Sequence, residues 1–465
     1  MNKIIPIILS FLLFTCQKGK KMTEEETWLG FYLNNKKVGY SYQKFQVGAN
    51  HFRFYNRAKM RLAMAGKVQE LLTTTDCLTN QDFTIQNLRF ELVSQNQKVR
   101  INAFVKDEEL YQEVFTERGP HRTKTHLEEK IYPSFAIAKI INQKGLKKDK
   151  DYTFHIFEPL LNKILPATVT VLGGETVRVG DSDYFCIKAK VIMANNISYY
   201  WITKDGATVK EETPPQMLAI KESPQEALSQ EKGEETIDII SYFSINADTV
   251  IPNPKGLEYF KVNLSGIEAK DFDLNVSDQK VVSENPLILE IRFPKLEEKT
   301  IPLPLNQPKE FLKPSLYIQS DDKEIINKAK EIKGEKNDAK EVAKRLLFWV
   351  YENLRKVPTA SLPSAVDVLK MGQGDCNEHS ILFAALCRAV GIPAKICVGL
   401  VYSQGKFYYH AWNLIYLNRW VACDPTFGEF PANPTHIILK EGEIEEQAKV
   451  LGAVGKIKIK VLEFN

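Results

Sequence analysis

The chain has few cysteines for its length, and this shortage excludes a disulfide scaffold. Seven cysteines are scattered over 465 residues without CxxC spacing, and the seven histidines form no ligand pair in the sequence. We therefore expect no metal site and no bound cofactor. Five of the thiols lie among apolar neighbours, where a free cysteine behaves as a small buried hydrophobe. They are Cys77, Cys186, Cys387, Cys397 and Cys423.

The chain also lacks a large excess of charge of either sign, since 62 basic and 58 acidic residues leave a net charge of +4. That is too little to indicate a nucleic acid partner or an anionic surface. The composition, with 44% hydrophobic and 26% charged residues, is ordinary for a soluble globular protein. Because 465 residues exceed what one hydrophobic core usually serves, we expect two to four domains.

The N-terminus carries a short apolar run. Lys3 precedes apolar residues 4–15, which are too few to span a bilayer but suit the core of a signal peptide. Residues 1–15 are therefore predicted to be a signal peptide, and the chain is predicted to be exported.

The sequence Leu13-Phe14-Thr15-Cys16, followed by a polar segment, resembles a bacterial lipoprotein signal. The resemblance implies that Cys16 is acylated, that residues 16–27 form a tether, and that a lipid anchor holds the protein to a membrane of the cell envelope. The alternative is a plain secretory signal with an incidental cysteine, which would make the protein periplasmic or secreted.

Alternation of apolar and polar residues dominates the first half of the mature chain and predicts strands. We expect residues 28–236 to form a large antiparallel β-rich domain, one curved sheet with a short helix at residues 134–143. Residues 211–235 are polar and contain three prolines, which predicts an exposed connection or a loose hairpin.

Three further segments complete the predicted multidomain organisation. Residues 237–293 are predicted to form a small β domain, and residues 294–320 a stiff proline-rich linker. Helical periodicity begins near Asp321, so residues 321–465 are predicted to form an α+β domain. Within it, apolar residues at every fourth position predict a helix over about 338–356, and Ser364 with Asp367 predicts the start of another.

A third helix is predicted to begin at Cys376. Asp375 can cap it, Glu378 can complete the capping box, and Gly391-Ile392-Pro393 ends it. A sulfur in the first turn lies near unpaired backbone N–H groups and the positive end of the helix dipole, which favour a thiolate. The same N–H groups could bind a developing oxyanion.

Three β-branched apolar runs follow this helix and predict an antiparallel meander. His410 and Asp424 stand fourteen residues apart on adjacent strands of that meander, so they can pair side by side. That pairing would orient the imidazole toward Cys376, as cysteine nucleophiles require.

The segment resembles the transglutaminase-like superfamily of papain-type thiol enzymes, which includes transglutaminases, peptide N-glycanases and many bacterial members. Its motifs occur in the family's order, over residues 339–439: Gly374-Asp375-Cys376, His410-Ala411-Trp412 and Trp420-Val421-Ala422-Cys423-Asp424-Pro425-Thr426. The resemblance implies that Cys376 is the nucleophile, His410 the base and Asp424 the orienting acid. Leu414 stands where the family often has an acidic residue.

Two functions follow from these patterns. The first is an exported thiol hydrolase or acyltransferase that acts on an amide bond of a peptide or protein through a thioester. The second is a non-catalytic binding module, in which the β-rich region holds a lipid, glycan or protein partner. His379, one turn after Cys376, is a rival base, but a residue of the same helix does not readily face the thiol.

The lipid anchor can be tested at Cys16. If Cys16 is acylated, Cys16→Ser should stop acylation and leave the protein unprocessed or move it out of the detergent fraction, without affecting the distant thiol site. Mass spectrometry of the mature N-terminus measures this directly. An unmodified terminus at any residue after Cys16 would instead make the protein a soluble secreted one.

Overall fold

The computed structural model describes residues 23–94, 97–116, 119–229, 236–359 and 364–465. The predicted signal peptide, Cys16 and the first part of the predicted tether lie outside these described residues. Within the described ranges, no helix combines the length and the apolar character needed to cross a membrane.

Fifteen strands form one large sheet, in which all neighbours are antiparallel except β9 and β10. The strands are β1 (Thr23–Leu33), β2 (Lys36–Val47), β3 (Phe52–Met64), β4 (Lys67–Thr79), β5 (Ile85–Val93), β6 (Lys98–Lys106), β7 (Glu109–Thr116), β8 (Gly119–His126), β9 (Ile131–Pro133), β10 (Asp151–Glu158), β11 (Lys163–Val179), β12 (Ser182–Met193), β13 (Asn196–Ile202), β14 (Thr208–Thr213) and β15 (Met217–Glu222). Their order in the sheet is β8-β7-β6-β5-β4-β3-β2-β1-β15-β14-β13-β12-β11-β10-β9.

The sheet curls around the short helix α1 (Ile137–Gln143), whose apolar side chains are buried. One core cluster contains Ile137 and Ile140 of this helix together with Leu88 from one half of the sheet and Val169 from the other. Burial of these side chains favours the curved form, because a flat sheet would leave one face in water. The predicted large antiparallel sheet with a small helix is therefore confirmed.

One predicted boundary of this domain differs from the structure, and one segment inside it is more ordered than an exposed connection. Strand β1 begins at Thr23, so residues 23–27 of the predicted tether belong to the sheet. The polar segment 211–235 contains the end of β14, all of β15 and the short helix α2 (Pro224–Leu228). Strands β14 and β15 pair antiparallel, so of the two predicted forms the hairpin is present. Strand β15 lies mid-sheet between β14 and β1. Backbone pairing on both edges holds it there, and four of its six residues are apolar.

The second half of the chain begins with the short helix α3 (Ile239–Tyr242) and forms two further sheets and a short parallel pair. Their strands are β16 (Ile245–Asn246), β17 (Tyr259–Ser265), β18 (Gln279–Glu284), β19 (Leu287–Arg292), β20 (Arg355–Lys356), β21 (Gln373–Gly374), β22 (Ala394–Ser403), β23 (Lys406–Tyr416), β24 (Trp420–Cys423), β25 (Ile437–Glu441) and β26 (Lys458–Phe464). The small sheet has the order β18-β19-β17-β26. The other has the order β16-β23-β22-β25, with β24 on β23.

These pairings join segments that the sequence placed in separate domains. The C-terminal strand β26 completes the small sheet by pairing with β17, and β16 extends the sheet that contains β23. The proline-rich segment 294–320 is not a free linker, since Ile301 and Ile318 are buried in the core of the α+β region. The difference arises because burial of the apolar side chains in this segment is favourable and holds the segment against the core.

Five helices complete the α+β region: α4 (Lys323–Lys333), α5 (Ala339–Asn353), α6 (Ala365–Met371), α7 (Cys376–Ala389) and α8 (Ile444–Ala448). The predicted helices are present, and Ser364 caps α6 and Asp375 caps α7 as predicted. Asp338, at the predicted start of α5, caps that helix. Helix α7 is buried along most of its length and packs against β22 and β23. This packing brings the N-terminus of α7 to the middle of the sheet.

Candidate active site

Cys376 begins α7, and its position depends on a capping box. The Asp375 carboxylate accepts hydrogen bonds from the Asn377 N–H at 2.9 Å and from the Glu378 N–H, while Glu378 Oε2 accepts the Asp375 N–H at 2.8 Å. Gly374 is required here, because a Cβ at this position would lie 2.2 Å from the Cβ of Glu378. The Gly374-Asp375-Cys376 sequence therefore sets the start of the helix and the position of the thiol.

The environment of the thiol differs from the expectation of a thiolate. Burial raises the pKa of Cys376 well above its ordinary value, the neighbouring Asp375 adds to the rise, and a hydrogen bond from the Ala411 N–H opposes it. Two N–H groups of the first turn are occupied by the Asp375 side chain, so they do not stabilise a negative sulfur. The thiol is therefore protonated at neutral pH and needs a base.

His410 lies in β23 with its ring held by Asp424. The Nε2–H of His410 donates to Asp424 Oδ2 at 2.8 Å, which leaves Nδ1 as the basic nitrogen. Gly399 of β22 stands directly opposite His410. A Cβ at Gly399 would lie 1.9 Å from the Ile437 carbonyl oxygen, so the approach of β25 requires a glycine there. Cys376 and His410 line the same cavity.

Two aromatic rings lie nearly parallel to the His410 imidazole. The ring centroid of Phe427 is 4.7 Å away with an interplanar angle of 12°, and that of Trp412 is 5.9 Å away at 20°. Together with the Asp424 contact, these rings leave the imidazole little freedom to rotate. Phe427 directly follows the Asp-Pro-Thr motif, so the motif also supplies one of the stacking rings.

Asp424 is fully buried and accepts four hydrogen bonds. Its Oδ1 accepts the N–H groups of Thr426 at 2.7 Å and Phe427 at 3.1 Å, and its Oδ2 accepts from His410 and from His436. Burial by itself would raise the pKa of Asp424, but the two imidazoles hold that pKa far below its usual range. The side chain is therefore a carboxylate throughout the physiological pH range.

His436 is a member of this site that the sequence analysis missed. Its Nε2 lies 3.1 Å from Asp424 Oδ2 and its Nδ1 lies 3.0 Å from the carbonyl oxygen of Asn433. Both partners are acceptors, so the protonated ring, which donates from both nitrogens, is the form that satisfies this position best. Burial would lower the pKa of His436, yet the hydrogen bond to Asp424 outweighs burial and raises it. No motif in the sequence points to this residue.

The cluster of His410, Asp424 and His436 also has the composition of a metal site. His410, Asp424 and His436 each offer one ligand atom, and these atoms lie within 4.8 Å of one another. The sequence shows no such pair, because the two histidines come together only through the fold. A cation would have to displace both imidazole N–H groups from the carboxylate. The hydrogen bonds therefore account for the cluster without an ion.

His379, the rival base, is buried in α7 and pairs with the backbone of Asp375. Its Nδ1 lies 2.7 Å from the Asp375 carbonyl oxygen and donates to it. Burial lowers the pKa of His379. It is not among the residues that line the cavity beside Cys376. The structure thus brings Cys376, His410 and Asp424 together and leaves His379 in a helix-packing position.

Residues 326–425 match the sequence model of the transglutaminase-like superfamily. The chain therefore carries a transglutaminase-like domain, and this match supports a thiol hydrolase or transferase of the cysteine type. No curated protein matches the chain.

Three solved structures overlap parts of the fold. A candidate cysteine protease from Cytophaga hutchinsonii is 16% identical, with a TM-score of 0.30 over 44% of this chain and 85% of its own. A β-barrel-like protein from Brucella abortus is 12% identical, with a TM-score of 0.35 over 43% of this chain and 95% of its own. A candidate protease from Parabacteroides distasonis is 12% identical, with a TM-score of 0.21 over 79% and 66%.

The role of His436 can be tested by His436→Phe, which keeps a ring but removes both donors. We expect a loss in the free energy of unfolding of about 2 kcal/mol, since a buried carboxylate loses a charged donor. Because the folded-state pKa of His436 is raised, its contribution is full below its ordinary pKa and declines as pH rises. Urea unfolding should therefore show a larger loss near pH 6 than at about pH 9. A loss independent of pH would indicate a packing defect only.

Proposed function

We propose that the protein is a thiol hydrolase or acyltransferase that acts on an amide bond of a peptide or protein. Cys376 is the nucleophile, His410 the general base and acid, and Asp424 the residue that orients His410. One observation carries the proposal. The His410 ring is bound through Nε2 to a buried carboxylate, and its free Nδ1 belongs to a ring that lines the same cavity as the thiol.

The reaction begins when His410 Nδ1 takes the proton of the Cys376 thiol and the sulfur attacks the amide carbonyl carbon. The electron pair of the C=O bond moves to oxygen, and the Cys376 N–H is placed to hold that oxyanion. The Asp375 cap accepts the N–H groups of Asn377 and Glu378 but not that of Cys376, and among the described residues no hydrogen bond is formed by the Cys376 N–H. When the tetrahedral intermediate collapses, the C–N bond breaks and His410 returns the proton to the leaving amine.

The second half resolves the thioester. Water or a second amine donates a proton to His410 Nδ1 and attacks the thioester carbonyl. The C–S bond then breaks, and the sulfur recovers its proton from the imidazolium. Asp424 stays ionised through both halves, because its pKa lies far below neutrality. It keeps the same tautomer of His410 available for each proton transfer.

The location of this reaction is part of the proposal. The signal-peptide pattern and Cys16 support an exported protein, lipid-anchored at the cell envelope, with periplasmic or secreted protein as the alternative. A membrane, through the lipid, and a peptide or protein substrate are then its partners. The small net charge of +4 gives no support for nucleic acid.

Cys376→Ala should abolish amide turnover while leaving the fold intact, because Asp375 and not the thiol caps α7. Any residual rate would come from the oxyanion site alone. Turnover of a glutamine- or asparagine-containing peptide, with and without added amine, measures the loss and separates hydrolysis from transfer. Cys77→Ala, which removes a buried thiol of the large sheet, is the matched control and should retain activity. Wild-type turnover by Cys376→Ala would falsify the assignment.

Asp424→Asn should lower kcat strongly, yet less completely than His410→Ala. The amide still contacts the ring, but it favours the wrong tautomer and no longer stabilises the imidazolium. His379→Ala serves as the comparison, since that ring faces Asp375 and lies off the cavity. Steady-state kinetics of the three variants decides the order. A wild-type rate for Asp424→Asn, together with an inactive His379→Ala, would show that the base is His379.

A further inference from the structure

A cavity of about 440 Å³ lies directly beside the thiol. Cys376, Asn377 and strands β22 and β23 form its floor, where Val398 is exposed to the cavity. The C-terminal segment from α8 onward forms one wall, with Ile444 and Leu451. The loop between β10 and β11 forms another, with Leu160 and Leu161. The large β-rich domain therefore contributes side chains to the catalytic cavity.

Specific hydrogen bonds hold these walls in place. Asn162, which follows the two leucines, accepts a hydrogen bond from Gln112 Nε2 at its side-chain oxygen, at 2.9 Å. Asn196, at the start of β13, donates through Nδ2 to the Ala448 carbonyl oxygen at 2.9 Å, which ties the large sheet to the C-terminal wall. The cavity is thus a joint construction of the large sheet and the α+β region.

The chemistry of the lining is apolar and uncharged. No Asp, Glu, Lys or Arg side chain occurs among the described residues that line it. Its polar side chains other than the thiol and the imidazole are those of Asn377, Tyr409 and Gln447. A charged group placed here would lose its hydration without gaining a partner, whereas an apolar side chain would gain free energy in proportion to the area it buries.

We propose that this cavity is a specificity site for a large apolar side chain, such as Leu or Phe, on the acyl part of a peptide substrate. The volume lies within the range of ligand sites and exceeds what one such side chain requires. The Asn377 and Gln447 amides favour a peptide over a hydrocarbon chain, because they can pair with its backbone groups. The inference rests on the proposed function and adds the substrate class: a peptide with a neutral, apolar side chain near the attacked carbonyl.

The test compares thiol-reactive probes on the full-length protein. Acetyl-capped chloromethyl ketones of Leu, Phe, Gln and Lys are used alongside iodoacetamide, a small reference reagent. Intact-protein mass spectrometry gives the rate constant for alkylation of Cys376. We expect the Leu and Phe probes to react about tenfold to a hundredfold faster than the Gln and Lys probes, as burial of one apolar side chain predicts. A decanoyl chloromethyl ketone that reacts faster than both would overturn the peptide assignment in favour of a lipid.

Two variants probe the two walls. Leu160→Asp and Leu451→Asp replace side chains that are 37% and 43% exposed, so the fold should tolerate them, and each should slow the Leu probe at least about tenfold. Leu462→Asp, at 42% exposure in β26, is the matched control and should leave all rates unchanged. Iodoacetamide rates should stay constant throughout.

The outcomes separate the two proposals. The specificity site is refuted if iodoacetamide labels Cys376 but the probes show no preference for Leu and Phe. It is also refuted if neither wall variant slows the Leu probe. In both cases the proposed function stands. If no reagent labels Cys376, the proposed function fails and the specificity site fails with it.

Discussion

The buried carboxylate of Asp424 is the interaction on which the catalytic region depends. A fully desolvated carboxylate is costly unless every lone pair is occupied, and here two backbone N–H groups and two imidazoles occupy them. Satisfying it requires the turn after β24 to close through backbone hydrogen bonds in both directions between Asp424 and Glu429. The same requirement orients His410 and brings His436 into the core, so one charge organises both the local fold and the chemistry.

For the Cys376 thiol, unlike the Asp424 carboxyl, burial outweighs the contacts that would stabilise the charged form. Burial keeps Cys376 neutral, and the cap of α7 uses N–H groups that would otherwise stabilise a thiolate. A resting neutral thiol beside a basic Nδ1 suits a mechanism in which the proton moves only when substrate is present. The hydrogen bond between His436 and Asp424 supports this arrangement, because it helps to satisfy the carboxylate that holds His410.

The fold brings the large β-rich domain to the cavity beside the thiol. The loop between β10 and β11 supplies Leu160 and Leu161 to the cavity, and the amide of Asn196 anchors the C-terminal wall. The two functions considered at the outset, an enzyme and a β-rich binding module, therefore need not be separate. In the proposed specificity site, the β-rich domain would help to select the substrate that reaches the thiol.

The sequence alone determined the features that depend on neighbours along the chain. The cap at Asp375, the meander that pairs His410 with Asp424, and the curved antiparallel sheet follow from local periodicity and turn residues. Only the tertiary structure decided the rest. His436 reaches Asp424 through an irregular loop, β26 pairs with a distant strand, and the cavity combines residues almost 300 positions apart, Leu160 and Val454 among them. Such contacts depend on how desolvation and packing are balanced over the whole molecule, which no local pattern encodes.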